Sequence, residues 1–331
     1  MLKRAESYLT EITATVIFFI IGYLFYMSLK MSGKTLLIPD SILIYNTVFV
    51  SILIEALPFV LIGVFVSGAI QVFITEDHIR RLIPKNPFLA VTSSCVIGVM
   101  FPACECGIVP IVRRLVAKGV PIYAGVGFLL TSPLINPVVI GSTYMAFGND
   151  GKIALLRMLI GFIVAMIVAI VISFFFKHGQ VRKKVTDIPV SKEMNRAPLT
   201  NRIKEACRHS IDEFFGVAKF LVMGALLAAF VQTYVSTGSL LGITEDLVTS
   251  TLIMMGLAYV LSLCSEADAF IAASFRHLFP TTTPILAFLV YGPMLDLKNT
   301  FMLMGAFKFR FVITLMFLIT VTVFAIVLLI A

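Results

Sequence analysis

"FLAVTSSCVIGVMFPACECGIVPIV", Phe88 to Val112, decides how this chain is folded. Its 25 residues are apolar enough for a bilayer, yet basic residues flank both ends. "EDHIRRLIPKNP" (Glu76 to Pro87) precedes it, and Arg113, Arg114 and Lys118 follow it. Excess Lys and Arg mark the cytoplasmic loops of a membrane protein, so the segment starts and finishes on one side. Two full crossings need roughly 40 residues. The economical reading is a re-entrant hairpin that dips partway in and turns back, with Pro102 to Gly107 at its tip. Non-helical backbone at that depth is tolerated only where it is buried in protein or lines a cavity.

The whole chain fits a membrane setting. Of its 331 residues 59% are apolar and 13% charged, and the mean hydropathy is +1.02. A soluble chain is about half apolar and a quarter charged. Several runs reach the roughly 20 apolar residues that a crossing requires. The first, Ile12 to Leu29, follows "MLKRAESYLTE" with no small-residue cleavage site, so it reads as a retained helix with a cytoplasmic N-terminus. The net charge of +8 is assigned to cytoplasmic loops rather than to nucleic-acid binding.

The stretch Lys177 to His209 holds nine Lys or Arg against three acidic residues, with Pro189 and Pro198. It reads as a basic cytoplasmic linker between two hydrophobic halves. The expected organisation is an N-terminal transmembrane helix and external loop over 1–42, a first membrane repeat over 43–176, the linker over 177–209 and a second membrane repeat over 210–331. In the first half Pro121 to Phe147 and Ile153 to Phe176 read as spans, the latter a clean one. In the second, Asp212 to Val235 crosses outward and "STGSLLGITED", without Lys or Arg, lies outside. Leu247 to Phe279 breaks at "LCSEAD" into another hairpin. Pro284 to Leu297 returns, and Phe311 to Ile330 leaves.

The halves also align as sequence. A shift of 160 places Cys264 on Cys104, Phe288 on Phe128, Leu289 on Leu129, Pro293 on Pro133 and Asp296 on Asn136. At a shift of 161, Gly224 meets Gly63 and Gln232 meets Gln71. Inverted repeats with broken helices in corresponding places are a secondary-transporter signature, with the binding site near the midplane.

Residues able to do chemistry cluster at these breaks. Cys104, Glu105 and Cys106 stand at the first tip. Thiolates suit Cu(I), Zn(II) and similar thiophilic ions, and a helix N-terminus at the tip favours negative charge beside it. If the tips face each other, Cys264 supplies a third thiol, and Cys104, Cys106 and Cys264 make a trigonal metal site. Cys95 is out of phase with this set and Cys207 lies in the basic stretch, so both read as inert. Glu105, Glu266 and Asp268 at the tips and Asp296 at a break are costly inside hydrocarbon, so each faces a cavity, pairs or carries a proton; for Asp296 a structural hydrogen bond that caps a broken helix end is the equal alternative. Glu55, deep in the run from about Leu43 to Ile74, reads as a proton site or a buried pair. Glu55, Glu266 and Asp296 form the proton-coupling set. In "LLTSPLINP", Pro133 and Pro137 free backbone groups that Thr131, Ser132 and Asn136 either rescue or replace with substrate contacts. Lys298 reads as a side chain reaching toward the cytoplasmic surface. Metalloprotease, P-loop and nucleophile-elbow motifs are absent. A membrane thiol-redox enzyme built on Cys104 and Cys106 is the enzymatic alternative, and it lacks a quinone or haem motif.

"FPACECGIVPIVRRLVAKGVPIYAGVGFLLTSPLINPVVI", "LCSEADAFIAASF" and "FLVYGPMLDLKN" together resemble the ArsP-type permease family, in particular its YraQ/YcgR-like bacterial branch. The resemblance covers nearly the whole chain. It implies a multi-pass permease of the bacterial plasma membrane. Some relatives export trivalent organoarsenicals, others are tied to copper or zinc efflux, and YcgR-like members pair with a smaller membrane protein. Carried over, the motif positions are Cys104, Glu105, Cys106, Thr131, Ser132, Pro133, Asn136, Pro137, Cys264, Glu266, Asp268, Pro293, Asp296, Lys298 and Asn299, with Ser265 between Cys264 and Glu266. Cys-Ser-Glu stands where the first half has Cys-Glu-Cys, so the soft-ligand set is not duplicated. The expectation is an all-α polytopic membrane protein of two inverted-topology repeats with re-entrant helical hairpins and broken helices. It exports a small solute, a metal ion or metalloid, by alternating access, and requires no cofactor. The alternative is a subunit of a two-component permease complex.

Overall fold

The computed structural model describes residues 40–73, 84, 86–101, 103–176, 180–181, 199–234, 246–276, 279 and 281–330. The expected first span, most of the linker, the external loop of the second half and Pro102 lie outside the described residues.

Twelve helices account for nearly all described residues. The first half contributes α1 (Asp40–Phe73), α2 (Pro87–Met100), α3 (Glu105–Ala117), α4 (Ile122–Thr131), α5 (Pro137–Ala146) and α6 (Gly151–Phe175). The second contributes α7 (Leu199–Tyr234), α8 (Leu247–Leu261), α9 (Ala267–Ser274), α10 (Thr283–Met294), α11 (Leu297–Ala306) and α12 (Phe309–Ile330). A long helix, four short ones and a long one therefore occur twice. Among the described residues α1, α6, α7 and α12 are long and apolar enough to cross a membrane. The short helices, 8 to 15 residues each, fall below the roughly 20 residues of a crossing.

Local chemistry sets where the short helices start and stop. Asn86 caps α2 by accepting from Phe88 N–H at 3.1 Å, with Pro87 as the first helical residue. Proline suits that position because its missing N–H has no partner there anyway. Phe101 leaves α2 in an extended conformation, as a residue before proline does. Pro121 precedes α4, and α4 ends at Thr131, two residues before Pro133. α5 restarts at Pro137 under Asn136, whose Oδ1 accepts from Val139 N–H at 2.9 Å. The second half uses the same device: Asp296 Oδ1 accepts from Asn299 N–H at 2.6 Å and starts α11. Pro121 to Phe147 and Pro284 to Leu297 are thus parts of helix pairs, α4–α5 and α10–α11, interrupted at 132–136 and 295–296. Two further boundaries differ from expectation. α3 begins at Glu105, so Glu105 to Gly107 form its first turn and the first tip is Phe101 to Cys104. α7 begins at Leu199, inside the basic stretch read as linker.

The halves interlock. α1 packs along α7, and also against α3. α2 packs on α4 as α8 does on α10, and α4 packs on α6 as α10 does on α12. Across the halves, α3 meets α11, α5 meets α9 and α6 meets α12. The α1–α7 seam carries Phe49 and Ile52 against Ala225, Ala228 and Ala229. In lipid, helices associate through close packing rather than water exclusion, and small residues permit that approach. Outward-facing side chains such as Ile54, Phe65, Phe174 and Phe317 are exposed and apolar, as a lipid-facing surface demands.

Candidate functional site

The two interrupted tips converge. A cavity of about 10 Å³ is lined by Glu55 of α1, Cys104, Glu105 and Cys106 of the first tip and α3, Cys264 of the second tip, and Lys298 of α11. Its apolar wall is Ile52, Ala56 and Phe59 of α1. That volume is at the lower limit for one water molecule, and Glu55 on its rim is exposed.

The first tip is positioned by its own half. Cys104 is the N-cap of α3 and Glu105 opens its first turn, which places both at the positive end of the helix dipole. Ser132 Oγ donates to Phe101 O at 2.7 Å, tying the tip to the break between α4 and α5. Gly107 lies against Gly63 of α1 so closely that a Cβ on Gly63 would collide with the Gly107 carbonyl. This contact lets α1 carry Glu55 up to the tip.

Lys298 joins the two tips. It is 3% exposed. Its Nζ is 3.0 Å from Glu105 Oε1 and 3.0 Å from Asp296 Oδ2, and it donates to Ser262 O at 2.7 Å and Leu263 O at 3.1 Å. The expectation that Lys298 reaches toward the cytoplasmic surface is therefore corrected. An ammonium with two carboxylates and two carbonyls in reach gains more by staying inside than by reaching water. Glu105 Oε2 has no hydrogen-bond partner among the described residues, so one oxygen is engaged and the other left in the cavity region. Ser262, in the left-handed region at φ 47°, accepts from Leu297 N–H through its Oγ at 3.1 Å. The Cys264 thiol donates to Glu266 Oε2 at 3.1 Å.

The structure sorts the sequence-derived candidates. Glu55, Cys104, Glu105, Cys106 and Cys264 share the cavity, with Asp296 beside it through Lys298 and Glu266 beside it through Cys264. Thr131, Ser132 and Asn136 do not line it. Thr131 Oγ1 donates to Gly127 O, Ser132 to the first tip, and Asn136 caps α5. Ser265 and Asp268 are buried on the far side of the second tip, near Arg157. Among the described residues no group of three or more His, Cys, Asp or Glu side chains is arranged to hold a metal ion. Cys104, Cys106 and Cys264 thus share a cavity without forming a ready-made cage. Cys95 is fully buried and Cys207 exposed, both away from the cavity.

Two functional candidates, Arg157 and Glu213, are not among the residues that the sequence singles out. Arg157 lies within the first two turns of α6, which runs unbroken from Gly151 to Phe175 as a candidate membrane span. It is 1% exposed and donates to Thr143 Oγ1 at 2.7 Å and Ser265 O at 3.0 Å. An Arg within an otherwise apolar run was the available signal. Glu213 of α7 binds Arg113 at 3.0 Å and Arg114 at 2.8 Å, and accepts from Ser67 Oγ at 2.8 Å. This links α1, α3 and α7 away from the tips. Around the tips the described residues bring five carboxylates, Glu55, Glu105, Glu266, Asp268 and Asp296, to two cations, Lys298 and Arg157. Of these, Glu105, Asp268 and Asp296 are buried with Lys298 and Arg157, whereas Glu55 is exposed and Glu266 half-buried; the buried excess of one negative charge has to be balanced by a proton or by a bound cation.

The family model described as "Predicted permease", ArsP_1, matches residues 42–331. The chain is 51% identical over 286 residues to UPF0718 protein YcgR of Bacillus subtilis, covering 86% of this chain and 96% of that protein. It is 40% identical over 276 residues to a Streptococcus mutans protein named "Putative two-component membrane permease complex subunit", covering 83% and 91%. An archaeal relative, UPF0718 protein MJ0584 of Methanocaldococcus jannaschii, is 22% identical over 160 residues, covering 48% and 43%. No solved structure matches. With its hydrophobic helices and the match over residues 42–331, this chain belongs to the ArsP_1 family of predicted permeases.

Proposed function

We propose that this membrane protein exports a small thiophilic cation or trivalent arsenical from the cytoplasm by alternating access. The observation that carries this reading is the small cavity where Cys104, Glu105 and Cys106 of the first tip meet Cys264 of the second, beside Glu55 of α1 and the clamping Lys298. Sulfur donors favour soft ions, and the carboxylate excess favours positive charge. In this reading the halves 43–176 and 210–331 are inverted repeats and their hairpins are re-entrant. The duplicated order of helix lengths and the matching caps Asn136 and Asp296 support it. The basic stretch 177–209 and the N-terminus face the cytoplasm of a bacterial plasma membrane, as the charge bias favours. Glu55, Glu266 and Asp296 exchange protons as the cargo enters and leaves. Alternation moves the tips apart toward one side at a time, so cargo release requires Lys298 to leave Glu105 or to move with it.

The test is uptake of Cu(I), Zn(II) and arsenite into everted vesicles carrying wild type or Cys104→Ser/Cys106→Ser. The expected outcome is loss of uptake at unchanged membrane abundance. Unchanged uptake removes the thiols from the site.

The name of the Streptococcus relative favours a second reading, in which the chain works as one subunit of a two-component complex. Flux by the purified chain in proteoliposomes supports the permease alone. Flux appearing only when a co-purified membrane partner is reconstituted supports the complex.

A further inference from the structure

The second tip is gripped by cations from two sides. Lys298 takes the carbonyls of Ser262 and Leu263, and Arg157 takes that of Ser265. Beyond the tip, Asp268 stands in the first turn of α9 and donates its N–H to Cys264 O at 3.0 Å. Asp268 and Arg157 are each 1% exposed. Each influences the other electrostatically, yet no Arg157–Asp268 contact stands among the ion pairs of the described residues, which extend to 4.0 Å. Asp268 Oδ2, Arg157 Nε and Ser265 Oγ have no hydrogen-bond partner among the described residues. Buried polar atoms are rarely left so, and ionisable groups at membrane depth mark ion or proton pathways. Gly292 of α10 leaves the space for this carboxylate: a Cβ there would stand 2.7 Å from Oδ2.

We propose that Asp268 is a carboxyl group that takes up and releases the exchanged proton, with Arg157 as its counter-ion, at a site separate from the cysteine cavity. The proposal rests on the transport reading above. The charged and titratable groups facing Asp268 are Arg157 of α6, Lys298 and Asp296 at the start of α11, Glu105 of α3, and Cys264 and Glu266 of its own tip. The helices packed on α9, α5 and α10, contain no acidic or basic side chain. The exchange follows from charge. A proton from the bulk adds to Oδ2 and makes a neutral acid, and Arg157 is left with Thr143 Oγ1, Ser265 O and the charge of Glu266. A cation entering the cavity beside Cys264 offsets the same negative excess from the other side of the loop. Proton and cargo therefore compete without touching. Deprotonation returns the proton to the bulk and restores the Arg157–Asp268 balance.

Two readouts test this on the purified full chain. The first needs no cargo: infrared difference spectra through a pH titration follow the carboxylic-acid C=O band. The second compares pH-gradient-driven flux with cargo–cargo exchange in proteoliposomes, using arsenite and Zn(II) as probes. Asp268→Asn is expected to lose the band and the gradient-driven flux while keeping exchange. Arg157→Lys, which keeps the charge, is expected to retain both. Gly292→Ala, which crowds Oδ2 and leaves the carboxyl in place, is expected to move the band's titration midpoint, and it serves where Asp268→Asn fails to fold. An unchanged band in Asp268→Asn, an unmoved midpoint in Gly292→Ala, or wild-type coupling in either overturns the proposal. Absence of any wild-type flux strikes the transport reading instead, and the infrared arm still decides whether Asp268 titrates.

Discussion

The two tips are built alike and equipped differently. Each is a short non-helical stretch between two short helices, and each leads into an α-helix that starts with an acidic residue nearby. The first tip offers electron-pair donors, Cys104, Glu105 and Cys106, and its backbone is tied down by a neutral hydroxyl, Ser132. The second offers one thiol, and three of its carbonyls are taken by buried cations. A break in a helix frees backbone groups that lipid cannot satisfy. One tip meets that cost with a neutral donor and keeps its charges for the cavity. The other meets it with Lys298 and Arg157, so its position depends on the charges around it. In the proposed transport reading, that difference assigns cargo holding to the first tip and the response to it to the second.

The largest break in this comparison comes from Lys298→Met. It strands Glu105 and Asp296 and releases the second tip, and removing one member of a buried ion cluster costs about 3–5 kcal/mol. The expected result is a large drop in the Tm of the detergent-purified protein. Adding Glu105→Gln and Asp296→Asn is expected to recover much of the Tm without recovering transport. No recovery would mean that the carbonyl clamp matters more than the charges.

The paired glycines come next. Gly63→Ala drives a methyl into the Gly107 carbonyl, and Gly224→Ala drives one within 2.8 Å of Lys298 Cα. Overpacking of this kind costs about 1–3 kcal/mol. Gly63→Ala is expected to change the reactivity of Cys104 and Cys106 toward a maleimide, and Gly224→Ala that of Cys264. Swapped or identical labelling patterns would show that the tips do not respond separately.

Ser262→Val is expected to cost about 1–2 kcal/mol, because a β-branched side chain resists the left-handed conformation at φ 47° and Leu297 N–H loses its acceptor. A Tm equal to wild type would show that the second tip relaxes freely. The smallest effect is expected from Cys264→Ser. It keeps a donor toward Glu266, so stability changes within about 0.5 kcal/mol, while thiophilic-ion uptake weakens less than in Cys104→Ser/Cys106→Ser.

How far these features could be read in advance differs by residue. That Phe88 to Val112 is too short for two crossings was legible, and the segment forms parts of two short helices, α2 and α3. The caps were legible in part: Asn136 and Asp296 stand beside breaks in either reading, and only the hydrogen bonds to Val139 and Asn299 decide for capping. Arg157 was hidden because it lies near the start of α6, ahead of an apolar run, Met158 to Phe175, that reads as a crossing by itself. Glu213 was hidden because its partners Arg113 and Arg114 lie about a hundred residues away in the chain.

Composition and charge bias, acting locally along the chain, were enough to make this protein helical, membrane-embedded and broken at Cys104, Asn136, Cys264 and Asp296, since each depends on a few neighbouring residues and the lipid around them. Which breaks meet, that Lys298 stays inside rather than reaching for water, and that Arg157 stands behind the second tip were decided only when α3 met α11 and α5 met α9. The reason is physical: a buried charge takes its depth and its partner from whatever opposite charge the packing brings within about 3 Å, and nothing along the chain encodes that distance.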